Sequence, residues 1–286
     1  MLKLASMIFL IISILASVSV SVLLKVAKRN QIDIAQAVAF NYPVAILLSF
    51  IFLKPDLSTF SFSGHWYLFG LLGILLPSVF IIMGIATQTA GIVKADTAQR
   101  LSLVFTLVIA FFFWNETATT RKIIGIIIAF IALILLLNKP QKNNANKTKN
   151  SLWILPLVWL GYGVIDLVFK LISKSGDYAF GTNLTVSFII ATVLIFAYLF
   201  HKKTKFNVRS LIGGIVLGAL NFTNIFTYIK AHQVMSENPS MVFTGMNIGV
   251  IALGTLLGLF LFQEKLNKLN YIGIALAILA VFVLFI

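Results

Sequence analysis

Ten blocks of mostly apolar residues, each close to twenty long, follow one another through this chain. A helix needs about that length to cross a hydrocarbon layer of roughly 30 Å. The spacing predicts spans at about 4–26, 32–53, 66–88, 95–114, 121–138, 152–173, 178–200, 209–231, 240–262 and 269–286, with ends good to about 2–4 residues. Lipid offers the backbone no hydrogen-bond partner, so such blocks satisfy their own polar groups as helices. The fold class is therefore all-α integral membrane. Composition agrees: 60% of residues are hydrophobic and 10% charged, against about 45–50% and about 25% in a soluble domain. The first block is too long for a signal-peptide core and no small-residue cleavage pattern follows it, so it reads as the first span.

The net charge of +14, from 22 Lys/Arg and 8 Asp/Glu, would suggest nucleic acid in a soluble protein. Here the cations cluster at the ends of apolar blocks, where they meet anionic lipid and orient the chain. No polar domain exists to carry a basic face, so a nucleic-acid partner is not expected. With no cysteine, disulfides, thiolate chemistry and Cys-held metals are excluded. No phosphate loop, dinucleotide turn or metal-spaced His/Asp/Glu cluster occurs, so no cofactor and no enzymatic activity are expected. Any transport is then driven by a gradient.

The two halves repeat one another. Phe112-Phe113-Trp114-Asn115-Glu116 closes one block, with Gly125 nine positions after the Glu; Phe260-Leu261-Phe262-Gln263-Glu264 closes another, with Gly273 nine positions on. Those Glu–Gly pairs are 148 residues apart, while Lys25 and Lys170, Gly73 and Gly218, Ala86 and Ala231, and Gln88 and Gln233 are each 145 apart. The chain divides into a first five-helix repeat over 1–138, a polar linker over 139–150 and a second repeat over 151–286. An odd number of helices per copy makes the second copy enter from the opposite face, which gives two inverted repeats. Such repeats place a binding site near the midplane between the halves and alternate its access. The plainer alternative is a duplication that only builds a stable bundle.

A ten-helix duplicated chain whose halves each end in an aromatic-rich span, a Glu and a Gly nine on resembles the EamA-type transporters of the drug/metabolite transporter superfamily, over its whole length. The resemblance implies export of amino acids or other small metabolites. It also implies a central cavity inside helices 1–4 and 6–9, with helices 5 and 10 as buttresses. The family's loop feature maps to Glu116/Gly125 and Glu264/Gly273. These read as structural: a solvated carboxylate at a helix boundary, and a small residue that lets helices approach.

Polar groups inside spans are the candidate site, because they are costly there. Trp159, Tyr162, Asp166 and Lys170 recur at spacings of three, four and four, on one face of helix 6. Asn221, Asn224 and Tyr228 form a stripe on helix 8; Gln88, Arg100, Thr106, Asn41 and Asn247 add to it from other helices. Together they predict an aromatic, amide-rich cavity for a small zwitterion or anion. Each has a plainer reading. Lys170 and Lys230 could snorkel to the interface, single Asn residues bridge helices, and Asp166 with Lys170 at i+4 could be a static pair. His65, His201 and His232 sit at span ends and read as interfacial packing. Gly214–Gly218, Gly245–Gly249 and Gly254–Gly258 give helices 8 and 9 smooth faces. The expected partners are a small-molecule substrate and the lipid bilayer of the cell membrane. Proton or ion coupling, substrate identity and oligomeric state stay open, and a membrane sensor, scaffold or embedded enzyme is the rival reading.

Calling the N-terminal face A and the other B, face B collects fifteen of the 22 Lys/Arg. Cationic loops stay cytoplasmic, which puts face B inside and both termini outside, whereas the resemblance implies termini inside. Because the chain has no native cysteine, Asn144→Cys probes the linker cleanly. The charge count predicts that an impermeant thiol reagent leaves it unlabelled in intact cells and labels it after permeabilisation; labelling of intact cells reverses the orientation.

Overall fold

The computed structural model describes residues 2–27, 30–59, 66–89, 92–137, 153–174, 177–263 and 266–285. These form ten helices: α1 Leu2–Ala27, α2 Ile34–Phe52, α3 Trp66–Thr89, α4 Ile92–Phe112, α5 Thr120–Leu137, α6 Ile154–Ser173, α7 Asp177–His201, α8 Val208–Val234, α9 Pro239–Phe262 and α10 Lys268–Phe285. Each is long and apolar enough to cross a membrane, and every end lies within about three residues of the sequence expectation. The 139–150 linker lies outside the described residues. Pro43 and Pro77 sit inside α2 and α3, as neighbouring helices permit in a bundle. Caps fix where helices begin: Asp33 accepts from the Gln36 N–H at 2.9 Å and Asn207 from the Ser210 N–H at 2.7 Å, satisfying donors the first turn leaves free.

Helix pairing respects the duplication. Exchanging αn with αn+5 maps the contact of α1 with α8 onto that of α6 with α3, α2 with α8 onto α7 with α3, and α1 with α9 onto α6 with α4; α5 with α10 maps onto itself. The α5–α10 seam shows this at single residues. A Cβ on Gly125 would come 2.7 Å from Leu284, and one on Gly273 would come 2.9 Å from Leu136. Leu136 and Leu284 share the 148-residue offset of the two glycines, so each repeat donates the small residue that seats the other's leucine. Gly73 and Gly218 are likewise matched: the first meets Ile190 and Ser187 of α7, the second Asn41 and Val44 of α2. Close packing is thus the work of these faces, and Gly245 and Gly249 extend it against Leu10 and Ile14 of α1.

The two faces of the membrane are packed differently. α6 packs on α8, while their mates α1 and α3 have no comparable contact. Toward face A, residues 239–245 of α9 are all buried and residues 180–188 of α7 nearly all. Toward face B, residues 19–26 of α1 and 80–85 of α3 contain no buried residue. A Cβ on Gly84 or Gly254 would meet nothing within 4 Å, whereas Gly258, one turn on from Gly254, is buried. The interior is shut toward A and loosely walled toward B.

Gly125→Val should lower the thermal midpoint of the purified protein, at a cost of about 1–3 kcal/mol for overpacking. Leu284→Ala in the same chain should return part of the loss, because it empties the volume the new side chain needs. An unchanged midpoint in the single variant would show that the seam is not tight.

Candidate functional site

The site is built outward from Asp166, which stands about seven residues from the face-A end of α6, roughly 10 Å deep at 1.5 Å per residue. Its carboxyl has Tyr228 of α8 and Arg100 of α4 as its electrostatic neighbours. The Tyr228 hydroxyl faces the carboxyl closely, yet has no partner that meets hydrogen-bond geometry. Arg100 pairs one turn back with Asp96, Nε to Oδ1 at 3.6 Å; the Asp96 side chain is 37% exposed and that of Arg100 10%. Tyr162, one turn from Asp166 toward face B, faces Arg100, Asp96 and Asp166 together, and Tyr42 of α2 faces Tyr162. Two carboxyls and one guanidinium therefore lie near one another across α4 and α6, beside three tyrosines, with Asp96 the carboxyl at ion-pair distance from Arg100. The cluster thus offers both anionic and cationic groups on facing helices. Asp96 was missed in the sequence, although an acid four residues before Arg100 inside an apolar block was a readable signal.

Lys170 is not the partner of Asp166. It is 1% exposed, and its Nζ donates to the Ser236 carbonyl at 2.6 Å, so it ties α6 to the α8–α9 connection at face A. The static Asp166–Lys170 pair and the freely snorkelling lysine are both corrected. The reason is direction: a long side chain near a helix end reaches whatever carbonyl the neighbouring loop offers. The amides of α8 make bridging contacts between helices. Asn221 Nδ2 donates to Asn41 Oδ1 at 3.2 Å, and Asn224 Nδ2 donates to the Ser13 carbonyl at 2.8 Å and to its hydroxyl at 3.0 Å. Each joins α8 to the opposite repeat. Asn247 donates to the Phe243 carbonyl of its own helix at 3.1 Å, and Thr106 likewise to Leu103 at 3.0 Å. Trp159 Nε1 donates to the Leu101 carbonyl at 3.0 Å and its ring meets Phe105 edge-on, so it holds α6 on α4. Lys230 lies over the Phe180 ring. The Gln88 side chain lies outside the described residues, as do His65 and Glu264.

Two residues differ sharply from expectation. His232 is fully buried rather than interfacial; its ring is 4.8 Å from Tyr228 and 4.7 Å from Phe243, centroid to centroid. Its place one turn after Tyr228 on the same stripe was the available signal. Glu116 is buried, not solvated. Its carboxylate accepts from the Ser240 N–H at 2.9 Å and the Ser240 hydroxyl at 2.5 Å, and pairs with Lys122 Nζ at 2.9 Å. It thereby satisfies the first turn of α9, where the helix dipole favours an anion.

Ten helices long and apolar enough to cross a membrane define an integral multi-pass membrane protein. The model of the EamA-like transporter family matches residues 4–138, and the chain belongs to that family, within the drug/metabolite transporter superfamily. It is 50% identical over 283 residues to a protein of Haemophilus influenzae described as uncharacterized, covering 96% of this chain and 97% of that one. A crystal structure shares the fold at TM-score 0.71 with 11% identity, covering 97% of this chain and 95% of that one.

Removing the Glu116 charge leaves the buried Lys122 ammonium unpaired, a change that costs about 3–5 kcal/mol in buried ion pairs. Glu116→Gln should therefore lower the thermal midpoint, and Glu116→Gln with Lys122→Met should recover much of it. Equal midpoints for wild type and Glu116→Gln would show that the pair does not hold α9.

Proposed function

We propose that this chain is a gradient-driven exporter of a small polar metabolite such as an amino acid, working by alternating access between the repeats 1–138 and 151–286. The observation that carries the reading is the position of Asp166 and Arg100. They are opposite charges on two helices, at the inner end of the loosely walled side and behind the closed one. Asp166 takes a substrate ammonium, Arg100 a carboxylate, and Tyr162, Tyr228 and Tyr42 cover the apolar part. Such pairing of a few polar groups with aromatic walls is how small-molecule sites gain both orientation and affinity. With face B in the cytoplasm, the side open to loading is the inner one, as export requires. The asymmetry between α6–α8 and α1–α3 is the expected signature of one state of a two-state cycle. In the other state α6 and α8 part and α1 and α3 close.

Counterflow of labelled amino acids into proteoliposomes tests this. Wild type should exchange label. Asp166→Asn should be folded and inactive, and adding Lys170→Met should not restore it, because the two side chains are not partners. Gly218→Leu should lose transport and also lower the thermal midpoint, since a Cβ there comes 2.7 Å from the Asn41 backbone of α2. Full transport by Asp166→Asn would remove it from the mechanism, and no counterflow by wild type with any amino acid would remove that substrate class.

A further inference from the structure

The connection from α7 to α8, at face B, carries Lys202, Lys203, Lys205 and Arg209 within eight residues, and all four are exposed. No Asp or Glu lies between Asp177 and Glu237, so this stretch of chain brings no carboxylate of its own to neutralise them. Among the described residues none of the four forms an ion pair. Lys202 Nζ lies 4.8 Å from the centroid of the Tyr198 ring, and Arg209 Nη1 donates to Gln31 Oε1. Bulky apolar side chains stand among these cations. Phe200, Phe206, Val208 and Ile212 are exposed, and Phe40, Phe196, Phe200 and Phe206 form one cluster whose contacting rings are 5.6 to 6.3 Å apart, centroid to centroid.

Plainer readings cover only part of this corner. Cations on one face orient the chain, and Lys202 and Lys203 at the end of α7 complement its dipole. Arg209 does the reverse, because it stands in the first turn of α8, where the dipole favours anions. Nor does the fold require these charges. At the 145-residue offset that matches Gly73 with Gly218, the same stretch of the first repeat runs from Leu57 to Gly64 and holds no charged residue. The corner is also held in shape by the opposite repeat. Gln36 Nε2 donates to the Lys205 carbonyl at 2.9 Å, the Asn207 N–H to Gln36 Oε1 at 3.0 Å, and the Asp33 N–H to the Ser210 hydroxyl at 2.8 Å. A surface fixed in advance loses little freedom when a ligand settles on it.

We propose that this corner is a binding site for an acidic phospholipid, with the headgroup phosphate on Lys203, Lys205 and Arg209 and the acyl chains along Phe200, Val208 and Ile212. Charge complementarity selects the occupant. Ammonium and guanidinium groups both take phosphate, the guanidinium through two parallel hydrogen bonds, and a basic cluster beside a span is matched to anionic headgroups. The exposed apolar side chains beside the cations fit the chains that such a phosphate carries and that free phosphate lacks. Because Arg209 also bonds Gln31, the bound lipid fastens the α7–α8 connection to the α1–α2 connection, and so one repeat to the other at face B. The corner lies across the membrane from the Lys170–Ser236 bond and apart from Asp166, and it does not depend on the transport reading.

The test needs no substrate. Purified protein is placed in nanodiscs of phosphatidylcholine alone and of phosphatidylcholine with phosphatidylglycerol, and the thermal midpoint is read in each. Phosphatidylglycerol should raise the wild-type midpoint, and added salt should shrink that rise, because exposed charges are screened. Lys203→Gln with Lys205→Gln and Arg209→Gln should lose most of the rise, whereas Lys54→Gln with Lys174→Gln, at face A, should keep it. The reading is the difference between the two lipids, so a lower starting midpoint from the lost Arg209–Gln31 bond does not enter it. Equal wild-type midpoints, or an undiminished rise in the folded triple variant, overturn the proposal and leave these cations as orientation signals. If the triple variant does not fold, Lys203→Gln with Lys205→Gln, which keeps Arg209, decides, and an undiminished rise there overturns it as well. The same rise from inorganic phosphate added to phosphatidylcholine nanodiscs would assign the cations to free phosphate and overturn the lipid.

Discussion

The closed end of the molecule hangs on a buried ammonium. Lys170 sits inside the bundle with its Nζ bonded to the Ser236 carbonyl, and a few residues away Glu116 holds the first turn of α9 from the α4–α5 connection. Hydrogen bonds to charged groups contribute roughly 1.5–3 kcal/mol each. That is enough to favour one arrangement of a two-state bundle without making the other inaccessible. The sequence mate of Lys170 is Lys25, at face B. It is exposed, with its ammonium 3.9 Å from the centroid of the Phe262 ring. One lysine of the matched pair is engaged in a closed face while the other lies over an open one.

That contrast makes the two ends of the bundle unequal. The symmetric contacts, such as the reciprocal Gly125–Leu284 and Gly273–Leu136 seats, belong to α5 and α10, which brace each other away from the site. The asymmetric contact is that of α6 with α8, the helices that carry Tyr162, Asp166 and Tyr228. Small residues make this workable: Gly73 and Gly218 bring helices of opposite repeats into backbone contact, and smooth surfaces can change register without extracting bulky side chains. The Asn41–Asn221 bond joins the repeats on the α2–α8 seam of Gly218, and the Ser13–Asn224 bond joins them across α1 and α8. They give α8 fixed partners in the opposite repeat.

Much of this was legible in the sequence. Block length located all ten helices, and the matched Glu, Gly, Lys and Gln positions exposed the duplication before any contact was known. Helical spacing correctly put Tyr162 and Asp166 on one face. It failed where partner choice depends on a neighbouring element. Periodicity cannot show that Lys170 turns toward the Ser236 carbonyl rather than Asp166, nor that Asn221 finds Asn41 across a repeat boundary. His232 and Glu116 were misjudged for a related reason. Both lie near helix ends, where sequence position suggests water, but tightly packed α6–α9 and the α9 N-terminus enclose them. In a chain apolar on every side, lipid-facing and protein-facing surfaces read alike, so burial had to come from the fold.

The central claim is that the two faces open and close in opposition. Spin labels at Lys174→Cys and Glu237→Cys report the α6–α8 separation at face A, and labels at Ser21→Cys and Ile85→Cys in a second chain report α1–α3 at face B. Pulsed dipolar distances in lipid nanodiscs, measured across a series of pH values, should show two populations for each pair. Conditions that lengthen the face-A distance should shorten the face-B distance. Two single, invariant distances, or two that lengthen together, would contradict alternating access in this fold.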